Sequence, residues 1–273
     1  MLILSVVFVL GAVGACQSTS EPTIPANDLI RAVVANELKA PEENGTRWMY
    51  RVDRVEQGHR TVKEVVQTVQ GSLERLVSTD GHPLSPNQEV EEAQRIQNLI
   101  NNTAEQRKME EKRKKDAEQC RTLFKLIPDA FVFSYAGTEA NVVKLNYRPN
   151  PNFQPPSREA RVFHALEGEV WVQASDRRLV RMRGHLTSEV KFAGGLLGHL
   201  DSGGYFDVMQ RELSPGQWDM ASMDIDMKGK ILFKTIAVQQ KEYRSDFQRL
   251  PTNLSLSEAA DILMKQVLVA ANR

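Results

Sequence analysis

The segment EGEVWVQASDRRLVRMRG, Glu167–Gly184, carries the pattern on which the fold of this 273-residue chain depends. Two strand-like runs, Gly168–Gln173 and Arg178–Gly184, are separated by the polar turn ASDR. A short polar turn between two such runs predicts a hairpin, because it leaves room only for antiparallel neighbours. Further runs divided by short turns continue to Tyr243, so the segment predicts the middle of a long antiparallel meander.

The same reasoning predicts about eleven strands over the whole chain. They are Arg47–Val55, Thr61–Gln70, Leu73–Ser78, Ala130–Tyr135, Val142–Tyr147, Gly168–Gln173, Arg178–Gly184, Leu186–Phe192, Gly204–Leu213, Gln217–Met227 and Lys230–Tyr243. A single antiparallel sheet of this size curls, because each strand is twisted. The predicted fold class is mainly β with helices (α+β): a large curled antiparallel sheet that forms an incomplete barrel, with helices in or over its mouth.

Three segments predict helices. Ala26–Ala40 keeps helical spacing of apolar residues, and we expect it to end at Pro41. Leu256–Ala271 is amphipathic and begins beside two serines, either of which can cap it. Pro86–Ile127 is rich in Glu, Lys, Arg and Gln and has two narrow apolar stripes. It predicts an inserted pair of helices that is peripheral and dispensable for folding.

The hairpin at Glu167–Gly184, with Trp171-Val172 before an Asp-containing turn, and the later run Trp218–Leu250 resemble periplasmic lipoprotein-sorting proteins. The resemblance covers Ala130–Leu250 and, loosely, Arg47–Ser78, but not Pro86–Ile127. It implies an incomplete antiparallel barrel with helices in its mouth. Related proteins include carriers, outer-membrane receptors and stress-sensing regulators, so the resemblance implies a fold and no particular role.

The N-terminus predicts a membrane anchor. An apolar run from Leu2 to Ala15 ends in Val13-Gly14-Ala15-Cys16, which resembles the lipobox of bacterial lipoproteins, although no Lys or Arg precedes it. Residues 1–15 are therefore expected to be a signal peptide, Cys16 the site of lipid attachment, residues 16–27 a tether and residues 28–273 a single half-barrel domain. Gln17, where an aspartate would favour the inner membrane, implies by resemblance the outer membrane, facing the periplasm. A plain secretory signal or a short anchor is the alternative.

Composition and motifs argue against several classes of function. The 35 Lys and Arg balance the 35 Asp and Glu, so the charge expected of a nucleic-acid-binding protein is missing. Gly198 and Gly203 have phosphate-loop spacing, but Gly204-Tyr205 replaces the required Lys and Ser or Thr. The histidines show no metal-ligand spacing, and no G-x-S-x-G motif occurs. We expect no metal, no cofactor and no enzyme activity; a hydrolase site assembled from distant residues is the alternative.

Aromatic residues predict a ligand cavity. Trp48 and Tyr50 alternate along one strand and Phe131 and Phe133 along another, which places each pair on one side of the sheet. Too few long side chains remain to fill a barrel of about eleven strands. The glycine-rich loop GGLLGHLDSGG (Gly194–Gly204) is expected to gate the cavity, or else to fold back onto the rim. The predicted cavity and gate residues are Trp48, Tyr50, Phe131, Phe133, Trp171, Leu196 and Leu197.

Together these features predict a lipid-anchored cell-envelope protein that binds an apolar ligand or a lipoprotein acyl chain, in lipoprotein or lipid trafficking. Its expected partners are the membrane, through the N-terminal lipid, and an envelope protein. The alternative is an envelope interaction or stress-sensor protein that uses Pro86–Ile127 as a docking surface. A continuous apolar cavity would favour the carrier, and a filled sheet interior would favour the interaction protein.

Overall fold

The computed structural model describes residues 24–43, 45–192, 198–231 and 234–271. Within these ranges thirteen strands form one sheet, accompanied by four α-helices and a 3-10 helix. The strands are β1 (Arg47–Glu56), β2 (His59–Thr68), β3 (Gly71–Thr79), β4 (His82–Pro83), β5 (Phe131–Glu139), β6 (Val142–Pro149), β7 (Leu166–Gln173), β8 (Arg178–Leu186), β9 (Val190–Phe192), β10 (Gly198–Leu200), β11 (Tyr205–Ser214), β12 (Gln217–Ile231) and β13 (Lys234–Leu250). The helices are α1 (Ala26–Glu43), α2 (Pro86–Asn101), α3 (Thr103–Ala130), the 3-10 helix (Glu159–Ala165) and α4 (Leu256–Ala271).

The sheet is antiparallel and open. Its strand order is β4-β3-β2-β1-β13-β12-β11-β8-β7-β6-β5, so β4 and β5 are its two edges and do not pair with each other. The hairpin β9–β10 pairs with β12 beyond the start of β11. These observations confirm the predicted α+β class and the large, unclosed antiparallel sheet. Two short strands, β4 and β10, were not predicted, because two or three residues carry no alternation to detect.

The helix termini follow local side-chain chemistry. The Ser85 hydroxyl accepts a bond from the Gln88 backbone N–H, and the Gln88 side chain accepts one from the Ser85 N–H, so this pair caps α2. Ser255 and Glu258 form the same reciprocal cap at α4. The predicted end of α1 at Pro41 is wrong: the helix continues to Glu43. A proline in the last turn removes one hydrogen bond without breaking the helix above it. Among the described helices, none is long and apolar enough to cross a membrane.

The helices cover the sheet on two opposite faces. Met49, Val66 and Leu73 form a cross-strand row that packs against α2 and α4; we call this side the α4 face. The register followed from β1 to β5 places Val170 and Phe133 on the other side, where α1 packs; we call this the α1 face. Each end of the sheet thus buries a different face.

The helix α2 belongs to a buried cluster, contrary to the expectation that the segment is peripheral. Ile96 is 1% exposed and Leu99 is also buried, both beside Leu263 of α4. The reason is that the narrow stripe of α2 faces the β1–β3 end of the sheet, whose α4 face would otherwise lie open. The middle of α3, in contrast, is exposed along most of residues 104–122.

Candidate functional site

A cavity of about 1200 Å³ lies at the strand ends, beside the C-terminal half of α1. Its wall combines the end of α1, the start of β1, the β11–β12 turn, the start of β8 and the middle of α3. The cavity lies here because β1, which is the first strand in the sequence, pairs with β13, which is the last. The residues that matter most below are Glu37, Arg47, Trp48, Arg113, Arg178 and Trp218.

One wall of the cavity is fixed by Glu37 of α1. Its carboxylate accepts two bonds from the Arg178 guanidinium, at 2.7 and 3.2 Å, and one from the Leu179 backbone N–H at 2.9 Å. The Gln210 side-chain amide also donates to it, at 3.4 Å. Both charged side chains are nearly buried, at 10% and 11% exposure, which makes this paired arrangement a rigid link between α1, β8 and β11.

Two buried nitrogen atoms on the cavity wall have no hydrogen-bond partner. They are Nε of Arg47 and Nε1 of Trp218, and they are the only such buried side-chain nitrogen or oxygen atoms among the described residues. Most buried polar groups in proteins are paired, and an unpaired one costs about 1–3 kcal/mol. Both atoms are fully buried, so they are unsatisfied donors beneath the wall and do not face the cavity.

Two further charged groups of the wall have protein partners. Arg113 of α3 donates to Glu110 at 2.7 Å, and Asp219 accepts from Arg244 at 3.0 Å. Arg47 forms no ion pair with any residue in the described ranges. The cavity wall is consequently mixed in polarity, and it is not the continuous apolar cavity that was expected for a carrier.

An apolar stripe occupies the middle of the α1 face. It is made of half-buried or exposed side chains on β8, β11, β12 and β13: Met182, Phe206, Val208, Met223, Ile225, Met227 and Val238. Met182, Phe206 and Met227 touch the buried cluster under α1. Val238, at the other side of the stripe, is 48% exposed. We call these seven residues the apolar stripe. Three of them lie on β12, the strand that also carries the cavity residues Trp218 and Asp219: Met223, Ile225 and Met227.

A buried acid borders the apolar stripe. The side chain of Glu242 is 1% exposed and accepts bonds from Arg54 at 2.6 Å and from Arg244 at 2.8 Å. Burial alone would raise the pKa of Glu242, but the two guanidinium groups outweigh it and hold the pKa below its usual range. Glu242 is therefore an ionised, fully paired group that separates the stripe from the aromatic side chains of β1.

The predicted cavity residues are not all brought together. Trp48 lines the cavity. Tyr50 is buried and stacks on Phe247, with ring centroids 5.1 Å apart. Phe131 and Phe133 lie in the cluster under α1, where neighbouring aromatic rings fill the space.

Trp171 lies on the α4 face, opposite to Phe131 and Phe133. Its ring is flanked by three cations, each 5.1 or 5.2 Å from the ring centroid: Lys144, Arg181 and Arg183. Cys16, Leu196 and Leu197 lie outside the described residues. A second depression, of about 690 Å³, opens on this face, but its charged residues, such as Glu169 and Asp207, already pair with arginines.

The sequence alone did not identify Arg47, Trp218, Glu37 or Arg178 as cavity residues. Arg47 and Trp218 each stand two residues after a glycine, in GTRW and GQW, at the start of a strand. That local signal marks strand starts, but only the pairing of β1 with β13 brings the two starts to one cavity.

The cavity offers hydrogen-bond donors and apolar surface rather than a reactive cluster. Within the described ranges, no three His, Cys, Asp or Glu side chains gather as metal ligands would. Searches against protein-family models, curated protein sequences and solved structures found no match to this chain.

Proposed function

We propose that this chain is a lipid-anchored cell-envelope protein that binds an amphipathic molecule with an acyl chain, in lipoprotein or lipid trafficking. The observation that carries the proposal is that one strand, β12, contributes residues to both the cavity and the apolar stripe. The cavity supplies donors for a polar group, and the stripe supplies apolar surface for a chain. The ligand is therefore amphipathic rather than wholly apolar.

The dimensions support a ligand of lipid size. A cavity of about 1200 Å³ exceeds the roughly 300–1,000 Å³ that is usual for small-molecule sites. Covering Val208, Met223 and Ile225 would remove half-exposed apolar surface from water, at about 0.8 kcal/mol per buried CH2 group of the chain. A saturated chain is the simplest molecule that gains from such a stripe.

The helices α1 and α3 act in this proposal as the cover of the site. They pack together, since Arg121 of α3 donates to the Leu38 carbonyl at 3.0 Å. Arg113, in the middle of α3, lines the cavity. Because α3 leads from α2 beside β3 to the opposite edge strand β5, it joins the two edges of the open sheet. In this proposal the two helices lie over the mouth of the curled sheet.

The predicted membrane anchor is a lipid attached to Cys16, and it is tested separately from the binding of the amphipathic ligand. In bacteria expressing the full chain, Cys16→Ser should abolish incorporation of labelled palmitate and release the protein from the membrane fraction. Retention of the variant in membranes, with no labelling of the wild type, would contradict the lipoprotein assignment.

Binding is tested with a matched pair of substitutions in β11. Val208 belongs to the apolar stripe, whereas its neighbour Met209, 37% exposed, lies on the opposite face. In the full chain carrying Cys16→Ser, Val208→Asp should weaken binding of a fluorescent fatty-acid probe about tenfold or more, because a charge is then placed under the chain. Met209→Asp should leave the affinity unchanged. A wild type that binds no probe, or equal effects of both variants, would overturn the proposal.

The second candidate is an envelope interaction protein, and it is favoured by the exposed middle of α3. Met109 there is 49% exposed and its neighbours are charged. The filled aromatic cluster under α1 also agrees with it. A wild type that is folded but binds no amphiphile would select this candidate.

A further inference from the structure

We infer that the middle of α3 docks on an anionic lipid surface through a basic patch, residues 107–115. The patch reads RKMEEKRKK and holds six Lys or Arg and two Glu. Its net charge is therefore +4, in a chain whose overall net charge is zero. The inference goes beyond amphiphile binding, and it rests on the proposed function only for the presence of a membrane near the chain.

The middle of α3 is exposed on every side. All residues of 111–120 are exposed, and they make roughly three turns of the helix, so no face of this stretch is buried. A helix that is polar all round is supported by its own ion pairs and not by a core. Glu110 supplies such pairs, at 2.7 Å to Arg113 and 3.4 Å to the Lys114 ammonium. The patch is thus part of a free-standing helix that is open to a partner.

Helical spacing gives the patch an outer side. Arg113 borders the cavity and marks the inner side. Lys108, Lys112 and Lys115 follow one another at four and three residues, which puts them in one row along the helix. At about 100° per residue, this row lies about 100–160° around the helix from Arg113. The three lysines therefore point away from the cavity.

The row of lysines has no acid of its own. Lys108, Lys112 and Lys115 are exposed, and none of them forms an ion pair with another residue that the structure describes. Of the two acids in the patch, Glu110 is occupied by its neighbours on the helix, and Glu111 is exposed and pairs with none of the three. Unpaired positive charges in a row are complementary to a surface of anionic lipid head groups.

The predicted lipid anchor can reach the same membrane as the patch. The C-terminal end of α3 packs beside the start of α1, where the Asn27 side chain donates to the Pro128 carbonyl at 2.9 Å. Cys16 stands eleven residues before Asn27, and such a segment spans at most roughly 36–40 Å. Along α3, Pro128 and Arg113 are fifteen residues apart, which is roughly 23 Å. A bilayer that holds a lipid on Cys16 is therefore within reach of the patch.

Vesicle cosedimentation of the full chain carrying Cys16→Ser, here the parent chain, tests the inference without the predicted covalent anchor. The vesicles are phosphatidylcholine alone, or phosphatidylcholine with phosphatidylglycerol, at about 0.05 M and about 0.5 M NaCl. At low salt the parent chain should bind the anionic vesicles at least about tenfold more tightly than the neutral ones. At high salt this preference should disappear, because the charges are screened.

Replacing the three lysines of the row together tests which residues carry the binding. Glutamine removes the charge and is about as good a helix former as lysine. Each lysine near an anionic lipid surface contributes roughly fivefold to binding, so Lys108→Gln/Lys112→Gln/Lys115→Gln should bind the anionic vesicles about tenfold to a hundredfold more weakly. Arginine at the same three positions should preserve the binding, because it keeps the charge.

A matched control removes the same charge from another part of the chain. Lys191, Lys228 and Lys241 lie on strands of the sheet, each beside an acid. Lys191→Gln/Lys228→Gln/Lys241→Gln should bind the anionic vesicles as the parent chain does. Thermal unfolding verifies that the variants are folded, and the salt dependence of the parent chain requires no variant. Both glutamine variants should keep their affinity for the fatty-acid probe.

Three outcomes would overturn the inference. The parent chain binds anionic vesicles no better than neutral ones; both glutamine variants lose binding equally, which would indicate an effect of net charge; or the parent chain binds polyglutamate but no vesicle, which would indicate an acidic protein as the partner. In each case the proposed function survives if the fatty-acid probe still binds. A parent chain that docks on vesicles but binds no probe would contradict the proposed function alone.

Discussion

The aromatic cluster under α1 and the cavity at the strand ends use similar residues to opposite effect. In the cluster, the Phe131 ring lies 4.8 Å from that of Tyr147 and 5.3 Å from that of Phe163, so little space remains. At the cavity, Trp48 and Trp218 border about 1200 Å³. An eleven-strand path is roughly 50 Å wide at about 4.8 Å per strand, and one helix covers about 10 Å of it. The cavity lies at the C-terminal end of α1, and Val238 of the apolar stripe remains exposed at the side away from the cluster.

The largest expected effect is a loss of stability, which should be greater in the aromatic cluster than at the cavity. Phe131→Ala should lower the free energy of unfolding by about 4 kcal/mol, because it empties a filled and fully buried site. Trp48→Ala should cost less, about 3 kcal/mol, since one side of its ring borders space that is already open. Urea denaturation followed by circular dichroism measures both. Equal losses would mean that the two regions are packed alike.

The next effect concerns α2, which the sequence placed outside the core. Ile96→Ala should cost about 3 kcal/mol, because this side chain is buried against β2, β3 and α4. On the same helix Val90 is 56% exposed, and Val90→Ala should change stability by less than about 0.5 kcal/mol. If both substitutions were neutral, α2 would be the dispensable insertion that its charged composition suggested.

A smaller effect depends on pH. The carboxylate of Glu242 has a lowered pKa in the folded protein, so the unfolded chain binds more protons at this position as the pH falls. The stability that it contributes is present above the unfolded pKa, about 4.3, and is lost as the pH drops through the lower folded value. Glu242→Gln should cost about 2 kcal/mol at neutral pH.

The same substitution should flatten the loss of stability between about pH 5 and pH 3. Urea denaturation at a series of pH values measures the slope. Identical slopes for Glu242→Gln and the wild type would show that the arginine pairs of Glu242 add nothing to the ionised state. Glu92, whose pKa is also lowered despite its burial, contributes to the slope that remains.

The smallest expected effect is at Trp218. Because its indole N–H is buried without a protein partner, Trp218→Phe should lower the free energy of unfolding by less than about 0.5 kcal/mol or raise it, since it removes an unsatisfied donor. Thermal unfolding without ligand provides the comparison with Phe131→Ala. A loss above about 1 kcal/mol would indicate that the indole N–H is satisfied in the folded protein.

Much of the secondary structure was predictable from local patterns. Alternation and short turns identified the strands around Glu167–Gly184, and the two serines beside Leu256 marked the start of α4. Period-two placement correctly put Phe131 and Phe133 on one face. It says nothing, however, about what covers that face, and α1 covers it.

The cavity was less predictable for a related reason. Trp48 was recognised as an aromatic residue at a strand start, but its neighbours in the cavity come from residues 36–40 and 210–220. Their meeting depends on the pairing of β1 with β13, a contact between positions about two hundred residues apart. The opposite faces used by α1 and α4 follow from the same pairing.

Tryptophan fluorescence tests the central claim most directly, because the three tryptophans lie at two kinds of place. Trp48 and Trp218 border the cavity, and Trp171 lies on the α4 face. A brominated fatty acid, whose bromines quench nearby indoles, should quench a larger fraction of the emission of the Trp171→Phe variant than of the wild type. It should leave the Trp48→Phe/Trp218→Phe double variant, in which Trp171 alone emits, almost unquenched. Strong quenching of that double variant, with none in Trp171→Phe, would place the fatty acid on the α4 face and contradict the account.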